Sequence, residues 1–121
     1  MHVGYLTTDE VNQELACGFA ERLGFTLDPL WPKDGPWDGE FDAVVYDLDS
    51  LPRETRDEIC AKLVSGYFPY PVSVHSYNLD DQQMEALREN GVAVFQRLEP
   101  EVFVLMAILA NRKINAAYRS G

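Results

Sequence analysis

The chain is poor in the residues that would mark a secreted scaffold, a membrane protein or a nucleic-acid binder. It has two cysteines, Cys17 and Cys60, in 121 residues. Neither has a partner at metal-ligand spacing, and one pair does not make a disulfide framework, so free thiols in a reducing cytoplasm are expected. Positive charge is scarce: ten Lys and Arg stand against twenty Asp and Glu, a net charge of −10. Such a domain repels phosphate backbones and anionic lipid, which argues against nucleic-acid or membrane-surface binding. The longest apolar run, Val102–Ala110, is well short of the roughly 20 residues that span a bilayer. The opening MHVGYLTTDE lacks the basic start and apolar stretch of a secretory leader. A phosphate-cradling loop is missing too, because TTDEVNQ after the first apolar run contains no glycine. That absence disfavours a nucleotide binder or a small flavodoxin-like enzyme.

What remains is the composition of a packed core, with 46% hydrophobic and 25% charged residues. At about 100–200 residues per domain, one domain over residues 1–121 is expected. Strand-like and helix-like segments alternate throughout. Val3–Leu6 is a short strand. Thr7 and Glu10 have the spacing of a capping box, and Val11, Leu15, Phe19 and Leu23 then recur every four residues as the expected buried stripe of a helix. Gly24 suits its left-handed cap. Phe25–Leu30 reads as a strand, and WPKDGPWDGE after it has no helical period, so a helix there is short or missing. Phe41–Asp47 is apolar enough for a parallel strand covered on both faces. Pro52–Ser65 reads as a helix with Ile59 and Leu63 inward and Gly66 as its stop. Val72–His75 is the fourth strand, and Asn78 or Asp80 caps a helix running to Asn90, with Met84 and Leu87 inward. Val92–Phe95 is the fifth strand, and Pro100 opens a last helix reaching about Tyr118. The order predicts a five-stranded parallel α/β sheet of flavodoxin-like type with helices on both faces.

In such sheets ligands gather outside the carboxyl ends of the strands. Those ends carry Thr7 and Thr8, then Asp47 and Asp49, then Ser76, then Gln96, Arg97 and Leu98. Across nearly the whole chain the pattern resembles the receiver domain of bacterial two-component response regulators. The likeness is carried by FDAVVYDLDSLP (Phe41–Pro52), PVSVHSY (Pro71–Tyr77), GVAVF (Gly91–Phe95) and the register of LGF (Leu23–Phe25). It implies that Asp47 stands at the phospho-acceptor position and Ser76 at the switch hydroxyl. The family holds Mg²⁺ with two acidic residues after the first strand, because the ion neutralises carboxylate and phosphoryl charge. Here Thr7 and Thr8 occupy those positions, and neutral hydroxyls do not replace carboxylates around a hard cation. The family's lysine after the fifth strand falls on Leu98, and Glu99 takes the place of the following proline. The resemblance therefore implies a degenerate pseudo-receiver, a non-enzymatic interaction module in bacterial signalling. The alternative is an atypical receiver phosphorylated at Asp47, with Mg²⁺ bound through Asp9 and a cation supplied by Arg97.

Plainer readings stand beside these. Asp47 can be a strand-terminal carboxylate that caps the next loop through backbone N–H groups. Ser76 can be a turn-former, and His75 a half-buried packing residue. Strand alternation would point Asp47 and Asp49 the same way, yet no third carboxylate joins them as a metal site. Without the chemistry, function moves to surfaces. The last helix is apolar around most of its girth, so Phe95, Val102, Phe103, Met106 and Leu109 form either a homodimer or docking face, or a broad core contact. Trp31 and Trp37 either form a binding hot spot or cover bare sheet. The aromatic connection of Tyr67, Phe68 and Tyr70 is open to the same two readings.

Overall fold

A computed structural model describes residues 1–30, 41–66 and 68–120, with the side chains of the last helix described as far as Arg112. Trp31, Trp37 and Tyr67 lie outside the described residues, as does the whole WPKDGPWDGE segment. The elements are β1 (His2–Leu6), α1 (Glu10–Leu23), β2 (Thr26–Leu30), β3 (Ala43–Asp47), a 3-10 turn (Leu48–Ser50), α2 (Arg53–Ser65), β4 (Val72–His75), α3 (Asp81–Glu89), β5 (Ala93–Phe95) and α4 (Pro100–Ser120). All strand pairs are parallel, in the order β2-β1-β3-β4-β5. This is the flavodoxin-like doubly wound sheet expected from the alternation of elements. No helix among the described residues is long and apolar enough to cross a membrane.

Alternation along each strand divides the core in two. Val3, Tyr5, Ala43 and Val45 face α1 and α4, where Ala16, Val102, Phe103 and Met106 close over them. Leu6, Val44, Tyr46, Val72 and Val74 face α2 and α3, meeting Ile59, Leu63 and Leu87. Gly4 is closely approached by side chains of the α2/α3 face, since a Cβ there would lie 2.8 Å from Leu30 Cδ1 and would make that side chain shift. Gly24 ends α1 at φ 77°, and its N–H bonds to the Ala20 carbonyl, a conformation open to glycine without strain.

Two helices sit differently from the sequence expectation. In α1 the cap is Asp9, whose carboxylate accepts from the N–H groups of Val11 and Asn12, so Thr7 and Glu10 form no capping box. Ala16 and Ala20 are the buried residues, whereas Val11 is 65% exposed and Leu15 and Leu23 nearly half exposed. Small side chains let the helix axis approach the sheet closely, Val11, Leu15 and Leu23 are turned outward, and of the expected stripe Phe19 packs half-buried on the core. In α4 the reverse holds. Val102, Phe103 and Met106 are wholly buried, so of the two sequence readings the broad core contact holds for them and the dimer face does not. The Phe103 ring packs on Tyr5, Phe19 and Phe25 at centroid separations of 5.0–6.3 Å. Phe95 and Leu109 are half-buried against the same cluster. Among the described residues of α4, the exposed large apolar side chains are Val104 and Ile108. In α3, Asp80 rather than Asn78 is the cap, in a full capping box with Gln83.

Candidate functional site

Three strands deliver polar side chains to one corner of the sheet. Asp47 and His75 are paired across β3 and β4, and Tyr5 lies across β1 on the same α1/α4 face. All three residues are buried. Asp47, only 1% exposed, accepts at Oδ2 from the Thr7 hydroxyl at 2.8 Å and from the Asn12 side-chain amide at 2.9 Å. Its Oδ1 lies 3.7 Å from His75 Nδ1. On the far side of the ring, Nε2 is 2.7 Å from the Tyr5 hydroxyl. Thr7 also accepts from the Asp9 N–H at 3.0 Å, which ties the network to the start of α1.

Electrostatics fix the proton positions. Burial, then the charges of Asp47 and Asp9, push the Tyr5 phenol far above its ordinary range, so it keeps its proton and acts as donor. Burial likewise holds His75 below the ordinary imidazole value, against the opposing pull of Asp47 and Asp49. A neutral imidazole satisfies the geometry when Nε2 accepts from Tyr5 and Nδ1–H faces Asp47. His75 is thus a fully buried member of the network rather than a half-buried packing residue. Asp47 makes no cap to the following loop, so the loop-capping reading is also replaced. Its partners are side chains from the β1–α1 turn, α1 and β4.

Asp49 belongs to a second, outer cluster. The chain turns into the 3-10 segment after Asp47, and the expected common direction of the two carboxylates is lost. Asp49 Oδ1 accepts from the Ser76 hydroxyl at 2.5 Å and the Asn78 amide at 3.0 Å, and Oδ2 from the Tyr77 N–H at 2.8 Å. Burial opposes ionisation there, but these donors outweigh it and hold the carboxyl below its usual range. Ser76 also accepts from the Asn78 N–H at 3.0 Å, the turn-forming role read from sequence.

The remaining sequence candidates fall elsewhere. Thr8 bonds to Ser50 through its N–H and hydroxyl. Asp9 is engaged as the helix cap. Arg97, 70% exposed, pairs with Glu99 at 3.6 Å, and Leu98 packs on the α1/α4 core. Among the described residues no three acidic, histidine or cysteine groups gather as metal ligands. At Asp47 the donor chemistry is also wrong for Mg²⁺: Thr7 and Asn12 both point hydrogens at the carboxylate, whereas a hard cation needs oxygen acceptors. Sequence reasoning missed Tyr5 and Asn12. A signal for Asn12 existed in the spacing Asn12–Ala16–Ala20, which places it on the buried face of α1.

No family model and no curated protein matches the sequence. Solved structures do. The chain is similar to a two-component response regulator from Clostridium difficile, with TM-score 0.64 and 15% identity over 95% of this chain and 98% of that one. A signal receiver domain from Clostridium thermocellum gives TM-score 0.65 and 8% identity over 90% and 95%. The bacteriophytochrome response regulator RtBRR gives 0.61 and 17% over 90% and 76%. At such identities the likeness establishes the fold, which is that of receiver domains.

Proposed function

We propose that the chain is a pseudo-receiver, a cytoplasmic domain of bacterial signal transduction that works by protein contact and carries no phosphoryl chemistry. The observation that supports this is the closure of Asp47. An acceptor carboxylate needs an oxygen open to in-line attack and cations to offset the gathering negative charge. Asp47 Oδ2 already accepts two hydrogen bonds, Oδ1 faces an imidazole, and the residue is sealed from solvent. This reading includes no cofactor and no enzymatic activity. Self-association through the last helix uses Val104 and Ile108, one turn apart and exposed, with the buried residues of that helix as scaffold.

Amide NMR spectra recorded with and without Mg²⁺ and beryllofluoride, an aspartyl-phosphate mimic, test the proposal. Unchanged resonances around Asp47, Ser76 and β5 at millimolar ligand are expected. Shifts concentrated there would restore a phosphorylation switch at Asp47.

A further inference from the structure

Between α2 and α3, on the sheet face opposite the Asp47 network, lies a cleft of about 700 Å³, the size of a small-molecule site. Its floor is apolar. Cys60 and Leu87 are buried there, and Ala61 and Ala86 line the two helical walls. Burial, then the charge of Asp57, pushes the Cys60 thiol up, so Cys60 stays neutral and acts as a small hydrophobe. The end of the cleft toward the carboxyl ends of the strands carries charge instead. Arg53 and Asp57 stand there one turn apart on α2, both exposed. Opposite charges at this spacing commonly pair across about 5–6 Å between Cβ atoms, though the order of cation before anion is the weaker one. Neither side chain has a hydrogen bond or ion pair among the described residues. The carboxylate facing them from α3, Asp80, is engaged with Gln83 in the capping box.

We infer that this cleft binds a free aromatic α-amino acid. The ligand's ammonium meets Asp57, its carboxylate meets Arg53, and its ring enters between Ala61 and Ala86 onto Cys60 and Leu87. Two opposite charges on one ligand carbon match two opposite protein charges one helical turn apart. Arginine reads a carboxylate through a planar fork of donors, while Asp57 accepts from the ammonium. Alanine on both walls leaves a slot that suits a flat ring, and the neutral thiol leaves no charge beneath it. A few placed polar groups over an apolar floor is the usual build of a small-molecule site. The site is independent of Asp47, so beryllofluoride shifts there would leave it intact.

The test is amide NMR of the full chain titrated with L-tryptophan, with tryptamine, which lacks the carboxylate, and with indole-3-propionate, which lacks the ammonium. Tryptophan is expected to give saturable shifts in Arg53–Ser65 and Asp81–Glu89, and both analogues to bind about tenfold or more weaker, the scale of a lost hydrogen bond to a charged group. Arg53→Gln and Asp57→Asn should each weaken tryptophan binding by a similar factor, and both positions are exposed, so the fold is kept. Ala61→Leu should fill the slot and abolish the shifts while leaving the unfolding temperature unchanged or raised. Any of three results overturns the inference: no α2 or α3 shifts with tryptophan at millimolar concentration, equal affinity for tryptophan and either analogue, or shifts that persist in Ala61→Leu.

Discussion

Asp47 and Asp49 stand two residues apart at the end of one strand, and they lead different lives. Asp47 is enclosed by side chains from three elements, with an imidazole and a phenol behind it. Asp49 is exposed and holds the β4–α3 loop through Ser76, Tyr77 and Asn78. Burial makes the first a structural keystone whose partners have no water to turn to. Exposure makes the second a replaceable latch. A carboxylate closed in this way is the basis for proposing a receiver's architecture without its phosphoryl chemistry.

Removing the inner group should separate the two most sharply. Asp47→Ala leaves Thr7, Asn12 and the His75 Nδ1–H facing a void, and is expected to cost about 3 kcal/mol in urea unfolding. A loss under about 1 kcal/mol would mean that water enters the corner, and that Asp47 is not closed.

Acid gives the next effect and reaches both clusters in turn. The folded pKa of His75 lies below its ordinary value, so the unfolded chain binds the extra proton first. The associated stability is fully present above about pH 6.5, and is lost as pH falls through the folded pKa. Asp49 is also depressed, so its contribution is present above the ordinary carboxylate range and disappears at still lower pH. The urea midpoint should fall from pH 7 to pH 5, and His75→Gln should flatten that fall while leaving the loss below pH 4. An unchanged slope in His75→Gln would show that the imidazole titrates equally in both states.

Asp49→Ala should cost about 1 kcal/mol, because its donors can turn to water. Amide exchange in residues 76–78 should quicken while that of β3 stays slow. The smallest effect concerns Ser73, next on the same face of β4, whose buried hydroxyl has no hydrogen-bond partner. Ser73→Ala should change stability by less than about 0.5 kcal/mol, or raise it, since no bond is lost. A loss above 1 kcal/mol would place a bound water at that hydroxyl.

Much of this architecture was legible in the residues. The five strands and their helical crossovers follow from apolar runs punctuated by Gly24, Gly66, Gly91 and Pro100, and β4 falls on Val72–His75 as expected. The roles of α1 and α4 were not legible. Val11, Leu15, Phe19 and Leu23 make a better apolar period than Asn12, Ala16 and Ala20, yet Ala16 and Ala20 are the buried residues and only Phe19 of the better stripe reaches the core. Periodicity shows that a helix has distinct faces. Which face turns inward depends on the space left by neighbours, and here Phe103 and Met106 of α4 occupy the same core, so α1 approaches through Ala16 and Ala20 with Phe19 at the edge.

The same division holds for the site. Sequence alone determined the winding of the sheet and the placing of Asp47 and Ser76 at strand ends, because both follow from local periods and from where each apolar run stops. Only the tertiary structure decided that Asp47 would be enclosed. Its partners Thr7, Asn12 and His75, and Tyr5 behind the imidazole, lie between 28 and 42 residues away, and of these only Asn12 carries a local signal, its place on the Ala16–Ala20 face of α1. They meet because parallel register places β1, β3 and β4 side by side with their carboxyl ends in one corner, where burial sets the protonation of Tyr5 and His75.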